Sequence, residues 1–216
     1  MRAYKEQKLT AEVVKALEEK VAELNREGHL HMQLILNEPK AFQGTLAKYG
    51  KFRGVGNYIV VAGQKADDLD ERVGYYGEQL VLFAQALGLN TCWVGLSYSK
   101  VPGTYQLDES EKIACYIAIG YGETQGVGHK VKTVGQVSNA SDITPLWFRK
   151  GVEAALLAPT AVNQQKFSFE YVGMKNNRHQ VRAKKGFSMI GYTKMDLGIA
   201  KYHFEVGAGK ENFEWG

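Results

Sequence analysis

The segment LLAPTAVNQQKF, Leu156 to Phe167, gathers amide chemistry at the end of a helix pattern. An apolar helical run stops at Pro159, and Asn163, Gln164 and Gln165 stand together just before an aromatic strand pattern. Proline ends helices and asparagine favours turns, so a capped turn is the plain reading. Three adjacent amides also offer donors and acceptors to a polar ligand. Two short basic clusters, GHKVK with Lys130 and Lys132 and RAKKG from Arg182, suit a phosphate monoester at least as well as a polynucleotide.

Other spacings with chemical meaning are few. His29-x-His31 is the one candidate pair of metal ligands, and no carboxylate or cysteine stands at a matching spacing, so no metal site is expected. Cys92 and Cys115 form no CxxC pair and lie in the apolar runs NTCWVG and IACYIAIG, which predicts small buried free thiols. The glycine stretch YGKFRGVG precedes a strand pattern instead of following one, and GYGETQGVGHK leads to no periodic helix. Neither is a dinucleotide fingerprint, and both read as loops. No G-x-x-x-x-G-K-[ST], G-x-S-x-G, Ser/His/Asp or Cys/His set is present, so side-chain nucleophilic catalysis has no support. An enzyme built this way would rely on a bound cofactor.

The elements that must position these residues follow from periodicity. Thr10 can cap a helix with Val14, Leu17, Val21 and Leu24 on one side and Gly28 as its stop. NYIVVAG, from Asn57, reads as a buried strand, and GYYGEQLVLFAQALG as a helix apolar on two faces, as befits a central position. TCWVG and CYIAIG are two more strands. Thr144 with Pro145 can start the helix PLWFRKGVEAALLA, FSFEYVG is the next strand, and HQVRA and FSMIGY are weaker strand patterns. MDLGIAKYHFEVGAG closes the chain as a helix with Leu197, Ala200, Phe204 and Ala208 inward. NYIVVAGQK sits beside FSFEYVGMK, and GEQLVLFAQALGLNTCW beside LGIAKYHFEVGAGKENFEW, as in a duplicated α+β unit. The halves would be residues 1–138 and 139–216, joined near SNASD and forming one compact body.

At 216 residues, with 44% hydrophobic and 11% aromatic content, the chain can bury a real core without disulfides. No run has the apolar length of a membrane span, and MRAYKEQKLT lacks the features of a secretory signal. A cytoplasmic location without membrane partners is expected. The net charge of +4 is mostly scattered among glutamates, as on solvated helix faces, so nucleic acid is not an expected partner.

LLAPTAVNQQKF resembles the A-P-[ST]-x-x-N-x-Q-P-W segment of the FMN-dependent nitroreductases. GEQLVLFAQALGLNTCWVG resembles their buried helix ending in G-L-G-x-x-W-[IV]-G, and YIAIGYG the strand that follows. DLGIAKYHFE points to a divergent branch, typified by a protein of a hyperthermophilic bacterium, in which the A-P-[ST] segment comes after the Trp segment. The resemblance spans most of the chain. It implies an α+β fold with a central, mostly antiparallel sheet flanked by helices, and two related halves.

It also implies FMN and a site. A flat ring that takes a hydride at N5 needs a donor near N5 and positive charge or donors near N1 and O2. By resemblance the backbone around Val94 and Gly95, just after Trp93 of the cofactor-binding set, faces N5, with Gly95 admitting the backbone closely. Pro159, Thr160 and Ala161 line the ring and ribityl chain, Asn163 and Gln165 supply amides, and Lys130 and Lys132 hold the phosphate. Arg2 matches the end of the family's opening R-x-S-x-R-x-[FY], whose first Arg and Ser are absent from this chain. Either the start lies too late or the flavin site is incomplete. Lys166 replaces the family's usual Pro, and Phe167 stands where Trp is common.

The implied activity is hydride transfer from NAD(P)H through FMN to a nitroaromatic, quinone or similar small aromatic acceptor, with no catalytic side chain. The alternatives are a non-catalytic flavin-binding or flavin-sequestering protein and a duplicated module contacting nucleic acid. The order of motifs implies a pseudo-dimer, competent as a monomer and holding at most one FMN between its halves. The reciprocal site should be dead, because the expected counterparts, LAKYGKFRGVGNY and EWG, lack the Pro-Thr and the Gln, or end the chain.

Overall fold

Thr10 accepts a hydrogen bond from the Val13 N–H and starts helix α1 (Ala11–Gly28), which buries Leu17, Val21, Leu24 and Gly28. The computed structural model describes all residues, 1–216. The left-handed residue that ends α1 is His29 (φ 48°), one position beyond the expected Gly28. The Asn25 side chain then donates to the Met32 carbonyl (2.9 Å) and accepts from its N–H (2.7 Å), which sets strand β1 (His31–Ile35) going. That strand was not expected, although His31, Met32, Gln33 and Leu34 alternate polar and apolar. A short helix, α2 (Thr45–Tyr49), leads to β2 (Asn57–Gln64), then α3 (Leu69–Ala86), β3 (Asn90–Val94) and β4 (Glu111–Gly120). These strands form one sheet, ordered β1-β2-β4-β3 and antiparallel throughout. Tyr58 of β2 and Tyr116 of β4 stack at 5.0 Å on one face, and Tyr98 stacks on Tyr116 at 3.8 Å.

After a single turn of helix, α4 (Val134–Val137), come α5 (Leu146–Ala155), β5 (Phe167–Lys175), β6 (Arg178–Lys185), α6 (Thr193–Ala208) and β7 (Phe213–Trp215). Their sheet is β5-β6-β7, antiparallel between β5 and β6 and parallel between β6 and β7. The expected antiparallel sheet is therefore present as two sheets. Three local expectations are corrected. Pro145, not Thr144, precedes α5, because the Thr144 hydroxyl is used in a turn with Ser141. Helix α5 stops at Ala155, well before Pro159, since the residue ahead of a proline is pushed out of the helical region and the last turn tightens instead. FSMIGY forms no strand: the Gly186 N–H bonds to the Lys166 carbonyl, and Phe187 and Met189 project into solvent with no face to bury.

Two compact units emerge: Met1–Leu69 with Gln79–Val127, and Asp70–Glu78 with Gly128–Gly216. The change of unit at Gly128 falls ahead of the repeat boundary expected near residue 138, and α3 contributes to both units. Each unit's topology repeats the other's. Helix, two antiparallel strands, helix and strand occur as α1-β1-β2-α3-β3 and as α5-β5-β6-α6-β7. In the first sheet β2 and β3 both pair antiparallel to β4, so they run the same way. The second sheet has no counterpart of β4, and β7 pairs directly with β6 in that same sense. This register sets NYIVVAGQK beside β6 rather than β5. The counterpart of Leu157–Lys166 is then the short link around His29 and Leu30, not LAKYGKFRGVGNY, and it too lacks Pro-Thr and Gln.

In the second unit α6 meets the first turns of α3 backbone to backbone. A Cβ at Gly74 would lie 2.0 Å from the Met195 carbonyl oxygen, and one at Gly198 would lie 2.0 Å from that of Glu71. At its other end α6 packs on α5, where a Cβ at Gly207 would lie 2.4 Å from that of Ala154. Backbone cannot yield as a flexible side chain does. Gly198→Ala should therefore lower stability to urea by about 1–3 kcal/mol or more. Gly135→Ala, in open space on α4, should be neutral or slightly stabilising.

Candidate functional site

Past α5 the chain runs through exposed Pro159 and extended Thr160 into a 3-10 turn, Ala161–Asn163. Val162 (φ 46°), Asn163 (φ 56°) and Gln165 (φ 47°) are all left-handed, with Gln164 between them in the right-handed region. For a β-branched residue such as Val162 that conformation is strongly disfavoured, so it persists only where surroundings impose it. Here they do. The carboxylate of Asp196, in the first turn of α6, accepts from the Ala161 N–H (3.0 Å) and from Gln164 Nε2 (2.6 Å). Gln164 Nε2 also donates to the Gly191 carbonyl (3.0 Å), and the Gln165 N–H donates to Thr160 Oγ1 (3.1 Å).

Gln165 is buried and its side chain acts as a strand neighbour to residues 130–132. Its Nε2 donates to the Lys130 carbonyl (2.9 Å), and its Oε1 accepts from the Lys132 N–H (2.9 Å). Asn163 Nδ2 donates to the same Lys130 carbonyl (2.8 Å), and Asn163 Oδ1 accepts from Gln165 Nε2 (2.9 Å). Lys132 Nζ in turn donates to the Gln165 carbonyl (2.6 Å). These amides, expected to meet a ligand, are thus largely engaged in fixing the turn and the basic segment. One polar atom is left over: Gln164 Oε1 is buried without a partner.

Lys130, Lys132 and Lys166 lie around this turn, and none of them has an ion-pair partner among the salt bridges formed by the chain. Burial and then the neighbouring Lys166 charge hold the Lys132 ammonium below the usual lysine range. Ammonium groups crowded without a carboxylate are a donor set that fits a phosphate monoester. On the other side of the turn Asp196 is only 2% exposed, and burial raises its carboxyl above the usual range, partly offset by the bonds from Ala161 and Gln164. Sequence reasoning brought together Lys130, Lys132, Pro159, Thr160, Ala161, Asn163 and Gln165, and the second unit holds them as one cluster. It missed Asp196 and the charge of Lys166, and noted Gln164 only as one of three adjacent amides. The signal for Asp196 was an acid set between Met195 and Leu197 in a run that is buried throughout.

The remaining expected residues lie in the first unit. Trp93 and Val94 end β3, an edge strand of its sheet, and Gly95 follows. Edge position keeps one row of backbone groups off the sheet. The next residues double back: the Ser99 N–H bonds to the Ala41 carbonyl (2.8 Å), and Ser97 packs on Gly50. Arg2 donates to the Gly50 carbonyl (3.0 Å) with its guanidinium 5.6 Å from the Phe52 ring centre. A cavity of about 810 Å³ in this unit is lined by Lys5, Lys8, Phe42, Lys48, Phe52 and Arg53, among others, and by none of the expected flavin residues. Of the two histidines considered as ligands, His29 caps α1 and His31 Nδ1 bonds to Glu111 (2.8 Å). No group of three or more His, Cys, Asp or Glu residues is placed to hold a metal ion.

The fold is that of nitroreductases. The family model described as "Putative TM nitroreductase" matches residues 1–208, and the chain belongs to that family. A crystallised "putative nitroreductase" of Thermotoga maritima MSB8 is similar over 98% of this chain and 80% of its own, at 22% identity and a TM-score of 0.65. A "putative nitroreductase" of Desulfovibrio desulfuricans, crystallised in complex with FMN, is similar over 67% of this chain and 92% of its own, at 16% identity and a TM-score of 0.50. No curated protein matches the chain.

Gln165→Ala should cost about 1–3 kcal/mol in urea unfolding, because it strips the Lys132 N–H of its partner. Hydrogen exchange at the Lys132 amide should rise with it. Asp196 titrates with a pKa raised by folding, so its ionised form opposes folding at neutral pH and protonation relieves that cost. The stability of the wild type relative to Asp196→Asn should therefore increase as pH falls through the raised value, levelling off below about 3.9. Urea titrations of both proteins from pH 7 to pH 4 measure it.

Proposed function

We propose that this chain is an FMN-dependent oxidoreductase that passes a hydride from NAD(P)H to a nitroaromatic, quinone or similar small aromatic acceptor. The observation that carries the reading is the strained polar turn of residues 160–165, fixed by buried Asp196 and ringed by Lys130, Lys132 and Lys166, none of which has an acid partner. Family membership supports it, and the Desulfovibrio desulfuricans relative was crystallised with FMN.

Lys130, with Lys132 and Lys166, holds the phosphate. Thr160, Ala161 and Asn163 lie along the cofactor with Pro159, and Gln165 acts through the segment it clamps. By the resemblance, Trp93, Val94 and Gly95 of the first unit would offer backbone to the hydride-accepting edge of FMN, and Arg2 would add positive charge. FMN supplies the hydride-accepting ring. The protein orients the reactants and excludes water, and needs no side-chain acid or base for the hydride step. Residues 1–138 and 139–216 act as the two nitroreductase-like halves of a pseudo-dimer, with one FMN per chain. The free thiols Cys92 and Cys115 suit a reducing compartment such as the cytoplasm. No helix is long and apolar enough to cross a membrane.

The purified chain should bind FMN at about one equivalent and bleach when NAD(P)H is added without oxygen. Light scattering should return a flavin-loaded monomer. Lys130→Gln with Lys132→Gln should weaken FMN binding about tenfold or more, by loss of charge-assisted phosphate contacts. A chain that retains no FMN at micromolar concentration overturns the reading. Bound FMN that NAD(P)H never reduces points to flavin sequestration instead.

A further inference from the structure

The 810 Å³ cavity of the first unit is built from three separated segments: residues 5–8 ahead of α1, residues 37–43 after β1, and residues 48–57 ahead of β2. The last of these is the YGKFRGVG stretch, which matched no nucleotide fingerprint. Its floor is apolar. Phe42 and Phe52 meet edge to face at 5.1 Å, and buried Val55 lies beside them. Its rim is basic, with Lys5, Lys8, Lys48 and Arg53 against a single acid, Glu6. Arg53 is paired with Glu123, but Lys5, Lys8 and Lys48 have no ion-pair partner.

The glycines shape this wall. Gly54 is left-handed (φ 68°), and a Cβ there would lie 2.1 Å from the Tyr4 carbonyl oxygen, so only glycine lets the extended residues 2–4 close against it. Gly56 faces open space. The cavity volume lies within the range of small-molecule sites, about 300–1,000 Å³. Three unpaired ammonium groups over an apolar, aromatic floor suit a planar ligand that carries more than one phosphate charge. Next to these cavity segments, Arg2 lies over the Phe52 ring and donates to the Gly50 carbonyl, and Ser97 and Ser99, just past Gly95, pack on Gly50 and Gly44.

We propose that this cavity takes the adenylate arm of the reductant, with its purine on Phe42 and Phe52, and that Lys5, Lys8 and Lys48 read a 2′-phosphate. The chain is then selective for NADPH over NADH. The inference rests on the proposed use of NAD(P)H and names the part of the chain that chooses between the two donors.

The test is calorimetric titration of the full chain, as purified and at low salt, with 2′,5′-ADP and with 5′-AMP. Neither probe can donate a hydride, so the measurement is independent of turnover and of whether flavin is reduced. The expected result is binding of 2′,5′-ADP about tenfold or more tighter than 5′-AMP, with the difference abolished in K5Q/K8Q/K48Q. That triple variant changes exposed residues outside the flavin set, and its melting temperature and visible spectrum should match the wild type. Absence of binding, equal affinity for the two probes, or a preference that survives the triple substitution overturns the proposal. Displacement of 2′,5′-ADP by FMN in competition also overturns it, since the cavity would then be a flavin site. A colourless chain that still prefers 2′,5′-ADP would sink the flavin reading and leave the cavity assignment standing.

Discussion

Backbone contact between α3 and α6 at Gly74 and Gly198 is the constraint on which the second unit depends. Approach this close leaves no room for a side chain and fixes the rotation of α6 about its own axis. That rotation carries everything else the helix does. Asp196, two residues before Gly198, is turned onto the Ala161 N–H and the Gln164 amide. Glu205 is turned onto the Tyr75 hydroxyl (2.5 Å) and the Trp215 indole (2.7 Å), and His203 onto Glu78 (2.8 Å). Gly207 brings the last turn onto α5. A shift of α6 by the width of one methyl group would disturb all of these at once.

Three buried acids on these helices show how polar groups specify the packing. Glu78, Glu205 and Asp196 are each less than a tenth exposed, and each is matched to named donors. Buried charges of this kind add little net stability against an apolar alternative, but breaking one side of such a pair is costly. They therefore select one arrangement of the helices more than they deepen it. The Tyr75 phenol reflects the same environment, since burial and then the Glu205 carboxylate push its proton loss well above the usual range. At the turn, the left-handed backbone of Val162, Asn163 and Gln165 is held because Asp196 grips one side and the Gln165 side chain grips the other.

Elements with strong periodicity were legible in the sequence. Helix α1, the buried strand β2 and helix α6 announce themselves by apolar spacing, and LLAPTAVNQQKF announced a polar turn. What was hidden was of two kinds. β1 carries a short alternation, His31-Met32-Gln33-Leu34, that is brief enough to pass for a loop and is docked locally by Asn25 on Met32. The three-residue β7, in contrast, exists only through its parallel pairing with the distant β6. FSMIGY carries strand-like residues but has no edge to join. Within the site, local pattern could nominate Asn163 and Gln165 as polar residues but could not tell that Gln165 would turn inward and bond the backbone of Lys130 and Lys132. Nor could spacing join residues 5–8, 37–43 and 48–57 into one cavity. Chain order does not show it.

The repeat also explains why its two copies are unequal. Trp93 and Trp215 occupy corresponding strands, β3 and β7, but their settings differ. In the first unit β4 provides a ten-residue strand for β3 to pair with, so the chain can run on past Trp93 into Val94, Gly95 and the segment that packs on Gly50. In the second unit no strand stands between β6 and β7, and Trp215 is drawn into the helix packing. Its indole donates to buried Glu205, and its ring lies 4.9 Å from the Lys201 ammonium, which also pairs with Glu71. Trp215 thus stabilises the α3 and α6 crossing. The strained turn, in contrast, has no equivalent in the first unit, where α1 passes to β1 through His29 and Leu30 alone. One repeat keeps the strand end and the other keeps the turn, so neither repeat carries both sets of residues.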